Sequence, residues 1–450
     1  MKPPEIPPKF DFETVDKKAI LELLHDVEAN KKLNNIDKGY PYWDRFKYKV
    51  RSLSYDPATL WVYNKLSREK SISKIKLSEI GGFSFKYNIT SPILKYLHNF
   101  DLHLGGVLEG RTIIPPDDRN RYLISSIMEE AIASSQLEGA ATTREIAKEM
   151  LRTNRKPRTL DERMILNNYL TIKRVLEIKD KKMSKDLILE LHSLVSKDTL
   201  KDSANEGKFR ANNNVQIWDE QSQEVVYTPP NFEHIEKLIE SFCKFANNDN
   251  EVEFLHPIIR GIILHFLIGY IHPFVDGNGR TGRAIFYWYL ISKGYWLVEY
   301  MSLSKIIIRA PAQYGKAFLY SENDDNDLTY FIAYNLKSMD LALKNLQFYI
   351  QRKIMEKKSL IYHVQNENIN ERQAELLRSL IIDNQKSFTI AEVQNKFGVV
   401  YQTARTDLMG LLSFGYLREK KYGKKLIFFR VNDFDKKIAK VMKKEISEND

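Results

Sequence analysis

The chain has 450 residues with a net charge of +10, and its 43% hydrophobic and 12% aromatic content argues against general disorder. The start, "MKPPEIPPKF", has prolines where a secretion signal would need an apolar core. The longest apolar helix, 258–271, contains the charged Arg260, so we expect no membrane span. A single cysteine, Cys243, excludes an internal disulfide and a cysteine-based zinc site, so we expect a cytoplasmic protein.

The first part of the chain, 1–115, is predicted to be a helical region. It alternates stretches such as "DFETVDKKAILELLHDVEANKK" with polar connections. The "PPDD" segment at 115–118 then predicts a break before a new helix, "RNRYLISSIMEEAIASSQLEG".

The segment 116–350 is predicted to be a mainly α domain. Apolar residues spaced three and four apart predict helices over 159–178, 184–198, 231–247, 255–271, 280–293 and 327–350. The exception is 209–230, where two short β-rich runs, Val215 to Trp218 and Val225 to Thr228, flank a polar turn. We predict a β-hairpin that projects from the helical body as a flap.

The last domain, 366–435, has the element order of a winged helix-turn-helix. Three short predicted helices precede two strands joined by the basic turn "REKKYGKK". The last hundred residues hold 20 Lys+Arg against 13 Asp+Glu, which gives +7 of the net charge. Polar residues lie in the first half of the presumed recognition helix: Tyr401, Gln402, Thr403, Arg405 and Thr406. Such a module binds DNA phosphates or serves only as a surface for protein docking or dimerisation.

The segment "HPFVDGNGRTGR", 272–283, concentrates the residues suited to chemistry. Its glycines spell G-x-G-x-x-G, but the run before it has helical spacing, whereas a dinucleotide-binding loop follows a strand. The Walker pattern with its lysine is also absent. Neither common nucleotide-binding loop therefore explains the segment.

The residue types predict a site for a polyphosphate and an alcohol. Gly277, Asn278 and Gly279 open a helix whose free N–H groups favour anions. Arg280 and Arg283 share one face of that helix and can hold phosphate oxygens.

Two further side chains complete this predicted site. Asp276 is a hard oxygen ligand suited to Mg²⁺, and His272 can accept a proton from an attacking hydroxyl. Taken singly, each residue is also common in turns or caps, but the combination favours a functional site.

The segment resembles the signature of Fic-domain proteins, H-x-F-x-[DE]-G-N-G-R-x-x-R, at every fixed position. The resemblance extends over roughly 119–345 and implies an all-helical Fic-type core. It also implies transfer of AMP from Mg-ATP to a Tyr, Thr or Ser hydroxyl of a target protein. The segment 209–230 would be the family's flap, which holds the target by strand addition.

The resemblance also implies individual roles. His272 would be the general base and Phe274 the buried anchor of the loop. ATP would be bound by Gly277, Asn278, Gly279, Arg280 and Arg283, with Asp276 as the magnesium ligand. Tyr314 is a candidate neighbour of the adenine, although an aromatic at that position is also typical of a core.

The stretch "SSQLEG", 134–139, resembles the family's inhibitory motif, [ST]-x-x-x-E-[GN]. Ser134 and Glu138 lie four apart on one helix face, and Gly139 suits the helix C-cap. The resemblance implies that Glu138 pairs with Arg283 and obstructs the γ-phosphate. A solvated surface glutamate is the alternative, and in some relatives the same glutamate serves removal of AMP.

Our leading hypothesis is an autoinhibited protein adenylyltransferase that uses ATP and Mg²⁺. One alternative is a Fic-type de-AMPylase or a transferase of another nucleotide or phosphate group. A second is a DNA-binding regulator that senses ATP, and a homo-oligomer is compatible with each.

Overall fold

The computed structural model describes residues 3–9, 16–75, 84–105, 114, 119–219, 223–247, 254–364, 369–382, 386–422, 425–434 and 437. It confirms the predicted mainly α class. Its helices are α1 Lys17–His25, α2 Val27–Asp37, α3 Trp43–Lys49, α4 Pro57–Glu69, α5 Ser91–Leu104, α6 Arg119–Leu137, α7 Arg144–Thr153, α8 Leu160–Glu177, α9 Lys185–Ser196, α10 Ile235–Asn247, α11 Pro257–Ile271, α12 Asn278–Ser292, α13 Ser304–Ile307, α14 Pro311–Asn323, α15 Thr329–Val364, α16 Glu371–Ile382, α17 Ile390–Phe397 and α18 Tyr401–Ser413. Its strands are β1 Ile72–Ile75, β2 Phe85–Asn88, β3 Ile217–Trp218, β4 Val225–Tyr227, β5 Ser387–Thr389, β6 Leu417–Tyr422 and β7 Lys425–Arg430. The predicted "PPDD" break lies outside the described residues.

The chain forms two compact units. The first contains Met1–Val107, Glu130–Ala141 and Thr159–Ala342, and the second contains Leu108–Glu129, Thr142–Arg158 and Leu343–Asp450. Within the described residues, no helix is both long and apolar enough to cross a membrane.

The first unit is built around the pair α11 and α12. Nearly every residue of both helices is buried, and α12 also packs against α8 and α9. Because α11 is apolar on nearly all sides, it must be enclosed by other helices, and α12, which also buries its two arginines, packs against it at the centre. The loop between them, 272–277, is thereby held between two fixed helix ends.

The N-terminal helices are joined to the same unit through buried polar contacts. Lys65 Nζ lies 2.8 Å from Asp324 Oδ2, and the Tyr40 hydroxyl donates to Asp327 Oδ2 at 2.6 Å. The short strands β1 and β2 pair antiparallel in this region, where sequence analysis expected helical stretches with polar connections and no strands. Four-residue strands with mixed polarity carry too little periodicity to be distinguished from connections.

The segment 209–230 contains the antiparallel pair β3 and β4, which is short and irregular. Ile217 is opposite Tyr227 and Trp218 is opposite Val225, with a register shift between them. Residues 220–222 at its tip lie outside the described part of the chain. That this hairpin serves as a flap stays a prediction.

The second unit includes α16, α17 and α18 followed by β6 and β7, in the order predicted for the C-terminal region. Strand β5, which sequence analysis missed, adds to give the sheet order β5-β7-β6. In α18, Tyr401, Gln402 and Arg405 are exposed while Leu408 is fully buried. DNA binding by this module stays a prediction, as do the predicted domain boundaries.

We predict that Leu408→Ala will lower the stability of the C-terminal core by about 2 to 5 kcal/mol, because it leaves a cavity in a fully packed site. Hydrogen exchange of amides in 387–430 of the full chain measures this loss of protection. Met409→Ala, at a neighbouring side chain that is 37% exposed, is the matched control and should change little. Equal protection in both variants would contradict the prediction.

Candidate active site

The loop between α11 and α12 is fixed by side-chain hydrogen bonds to its own backbone. Asn278 Oδ1 accepts from the Phe274 N–H at 3.0 Å, and Asn278 Nδ2 donates to the Phe274 carbonyl at 2.9 Å. Phe274 itself is fully buried, as expected for an anchor. The Asn278 side chain is thus engaged within the loop, and the group it can offer a ligand is its backbone N–H.

The first turn of α12 is open to an anion. Its N-cap is Gly277, with φ of +84°, a conformation that favours glycine, and no side chain caps the helix. The first N–H groups of a helix have no partner within it and carry partial positive charge. Gly279, in the same turn, has no side chain to cover them.

Arg280 and Arg283 are each only 1% exposed on this helix. Arg280 Nη1 donates to the Val195 carbonyl at 3.2 Å, but Arg280 Nε and Nη2 donate no hydrogen bond among the described residues. Burial lowers the pKa of Arg280, which reflects incomplete compensation of its charge. Buried donors that have no hydrogen-bond acceptor among the described residues suit an anionic ligand.

Glu138 forms the predicted pair with Arg283. Arg283 Nη2 donates to Glu138 Oε1 at 2.8 Å, and Arg283 Nε donates to Ser134 Oγ at 2.9 Å. The Glu138 side chain is 27% exposed, so this is a partly buried ion pair rather than a solvated surface contact. Gly139 follows with φ of +96°.

The Glu138 carboxylate lies over the open turn of α12. A Cβ added at Gly279 would be 2.2 Å from Glu138 Oε1 and 3.1 Å from Arg283 Nη1. Arg283 Nη1 donates no hydrogen bond among the described residues. The carboxylate therefore occupies space next to the donors that an anion would use.

His272 follows α11 as its C-cap, with φ of +47°. Its Nδ1 is 3.2 Å from the Gly269 carbonyl, which can only accept, so Nδ1 carries the proton and Nε2 is left as an acceptor. Burial lowers the pKa of His272, and this outweighs the hydrogen bond to Gly269 and the charges of Glu138 and Asp276, which raise it; the charge of Arg210 lowers it further. His272 is therefore neutral near pH 7, as a general base requires.

Asp276 presents a largely exposed carboxylate beside the same turn. One oxygen accepts from the Gly277 N–H at 2.5 Å, and the other lies 3.6 Å from Arg280 Nη2. No group of three or more acidic, histidine or cysteine side chains that could hold a metal occurs in the described residues. A single carboxylate is nevertheless what Mg²⁺ takes from a protein when phosphates supply its other ligands.

Tyr314 on α14 lies in an aromatic cluster beside the arginines. Its hydroxyl is 2.7 Å from His265 Nε2, and its ring contacts Phe318 and Phe331. Burial raises the pKa of Tyr314, and the charge of Arg283 opposes this. The position next to Arg283 is compatible with a neighbour of a bound base, and that role stays a prediction.

Sequence analysis missed His192 on α9. Its ring stacks on Phe274 with a centroid distance of 3.7 Å and an interplanar angle of 2°. Nδ1 accepts from the Gly207 N–H at 3.1 Å, and Nε2 donates to the Asp276 carbonyl at 2.9 Å. Burial lowers the pKa of His192 to about 4, so the ring stays neutral and keeps both bonds.

Arg210, at the start of the hairpin segment, was missed as well. It is 3% exposed, and its Nε donates to the His272 carbonyl at 2.9 Å. Neither His192 nor Arg210 belongs to a local pattern, because each acts through a backbone carbonyl distant in the chain.

Comparison with known proteins shows a similarity that includes most of these residues. The profile of the Fic/DOC family matches residues 182–290. The chain is 32% identical over 108 residues to the protein adenylyltransferase Fic of Drosophila erecta, and 31% identical over 130 residues to that of Drosophila ananassae. These matches cover 24% and 29% of this chain but only 20% and 22% of the relatives.

Among solved structures, Fic-1 (residues 134–508) of C. elegans is similar, with a TM-score of 0.48 and 17% identity. That match covers 79% of this chain and 90% of the other.

We predict that Glu138→Gln will raise the affinity for inorganic triphosphate, because it removes the anion that competes for Arg283. A charged, partly buried pair is worth about 1 to 3 kcal/mol, which corresponds to roughly five- to more than a hundredfold. Calorimetric titration measures the change, and Glu145→Gln, at an exposed glutamate, is the control. Unchanged affinity in Glu138→Gln would mean that the pair does not restrict the site.

Proposed function

We propose that this chain is a Fic-type protein adenylyltransferase restrained by its own Glu138, since the Fic/DOC family profile matches residues 182–290. The carrying observation is that, in the described part of the chain, Arg280 Nε and Nη2 and Arg283 Nη1 donate no hydrogen bond, on a helix whose start is uncapped. These donors suit the phosphates of ATP. The neutral His272 in the same loop suits a hydroxyl acceptor.

The reaction is a transfer of AMP. A Tyr, Thr or Ser hydroxyl of the target attacks the α-phosphorus of ATP, and its proton passes to His272 Nε2. The new oxygen–phosphorus bond forms as the bond to the β-phosphate bridging oxygen breaks, and pyrophosphate leaves. Arg280 and Arg283 compensate the phosphate charge, while the backbone N–H groups of the first turn of α12 orient it.

Asp276 is the residue that would hold Mg²⁺, and the metal would supply charge neutralisation at the phosphates. The hairpin in 209–230 would hold the target segment by strand addition. Its exposed side chains Trp218 and Val225 offer apolar contacts for such a segment.

One prediction of the proposed function concerns how the transfer rate depends on pH through His272. The neutral imidazole is the active form, and a lowered pKa keeps it neutral to lower pH. The acidic limb of kcat/KM should therefore have its midpoint below the ordinary histidine value of about 6.5. Initial rates of target labelling between pH 4.5 and 8 measure this, with the added mass of AMP identifying the product.

His272→Ala is the control for that profile. It should abolish transfer while ATP binding stays close to wild type, because the imidazole acts on the acceptor hydroxyl. Full activity in His272→Ala would remove His272 from the mechanism.

The second prediction concerns release of the restraint. Glu138→Gly should raise the initial rate of self- or target modification at fixed ATP, because Arg283 becomes available to the γ-phosphate. The double variant Glu138→Gly with Arg283→Ala should be inactive, since the phosphate clamp is then missing. If Glu138→Gly is no faster in transfer and only slower in removing AMP, Glu138 serves hydrolysis and the restraint is disproved.

A further inference from the structure

Arg210 makes contacts that connect the hairpin segment to the loop of His272. Its Nε donates to the His272 carbonyl at 2.9 Å, and its backbone N–H donates to the Pro273 carbonyl at 2.9 Å. Its Nη1 donates to the Asn212 carbonyl at 2.8 Å, and its Nη2 donates to the Pro230 carbonyl. One buried guanidinium thus contacts both ends of the hairpin segment and the residue expected to be the base.

The backbone at His272 needs such support. With φ of +47° and ψ of +57°, it is in the left-handed region, which is unfavourable for a residue other than glycine. Pro273 follows and has no N–H to contribute. The two peptide groups after His272 Cα both have their carbonyls held by Arg210, so their orientation depends on that residue.

The direction of the imidazole depends on the same backbone. Nδ1 is tied to the Gly269 carbonyl, and the ring is carried by a Cα whose following peptide is held by Arg210. We propose that Arg210 is a positioning residue that aims His272 Nε2 at the acceptor hydroxyl and couples that aim to the base of the hairpin. This proposal rests on the proposed function.

The charge and the planar shape of the Arg210 guanidinium make separate contributions to the position of His272, and two substitutions distinguish them. Arg210→Lys keeps the positive charge, but one ammonium cannot span three carbonyls held by a planar fork. Arg210→Ala removes both the charge and the planar fork. A misplacement of about 1 Å in a reacting group can cost roughly a hundredfold in rate, so both variants should lose kcat.

The experiment uses the Glu138→Gly parent, in which the restraint is removed. We expect Arg210→Lys to lower kcat by about ten- to a hundredfold while KM for ATP changes by less than about threefold. Arg260→Lys is the matched control, because Arg260 is also buried and also donates to a backbone carbonyl, that of Phe245. It should retain kcat if the loss is specific to Arg210.

The pH profile provides a readout that a purely structural role would not move. The charged groups that shift the pKa of His272 are Glu138, Arg210 and Asp276, and the Glu138 carboxylate is absent in the parent. Loss of the Arg210 charge favours the imidazolium, so the acidic limb should move to higher pH in Arg210→Ala and stay in place in Arg210→Lys.

A titration without ATP keeps this test independent of activity. Nitrogen-15 imidazole signals of His272, assigned by their loss in His272→Ala, should titrate at higher pH in Arg210→Ala than in the parent. If the parent transfers no AMP, the proposed function fails and this titration alone decides the inference. Unchanged kcat in Arg210→Lys, or an unchanged titration in Arg210→Ala, would overturn it. Should Arg210→Ala not fold, the kcat of Arg210→Lys decides.

Discussion

Two arginine side chains buried three residues apart on one helix impose the main constraint on this structure. Removing a guanidinium from water is expensive unless its charge and all its donors are compensated. Arg283 meets most of that requirement with Glu138 and Ser134, although its Nη1 donates no hydrogen bond among the described residues. Arg280 meets less of it, through the Val195 carbonyl and the nearby Asp276. Of the remaining donors, Arg283 Nη1 lies beside Gly279 in the first turn of α12, and the charge at this uncapped helix start suits an anion. The Glu138 carboxylate and a bound phosphate would each compensate the positive charge of these arginines.

The loop that faces these arginines is held by residues from several separate segments. Asn278 fixes Phe274 from within, His192 on α9 stacks on Phe274 and holds the Asp276 carbonyl, and Arg210 holds the carbonyl of His272. Each contact is to the backbone or to an aromatic face, so the loop geometry is set before any ligand arrives. A preorganised site loses less free energy on binding than one that must be ordered by its ligand.

The limits of sequence reasoning follow from the same contacts. The helices α11 and α12 were predictable, because spacing of three and four residues reports which side chains share a helix face. The pairing of Glu138 with Arg283 was expected only from the resemblance of 134–139 to the inhibitory motif of Fic-domain proteins. His192 and Arg210 were not predictable, because they bind carbonyls 84 and 62 residues away, and a carbonyl has the same chemistry in every residue. Strand β5, of three residues, forms through its pairing with β7 and carries no periodicity of its own.

The ion pair between Glu138 and Arg283 lies within one chain, and this determines how its occupancy depends on protein concentration and on salt. An intramolecular contact has an effective concentration fixed by the fold, so dilution of the protein leaves its occupancy unchanged. Ionic strength screens it less than a surface pair, because Arg283 is buried and Glu138 is only partly exposed. Two changes can still break the ion pair: binding of a competing anion at Arg283, or a displacement of the C-terminal end of α6, where Ser134 and Glu138 lie. The pair therefore responds to occupancy and to local structure, and is insensitive to how much of the protein is present.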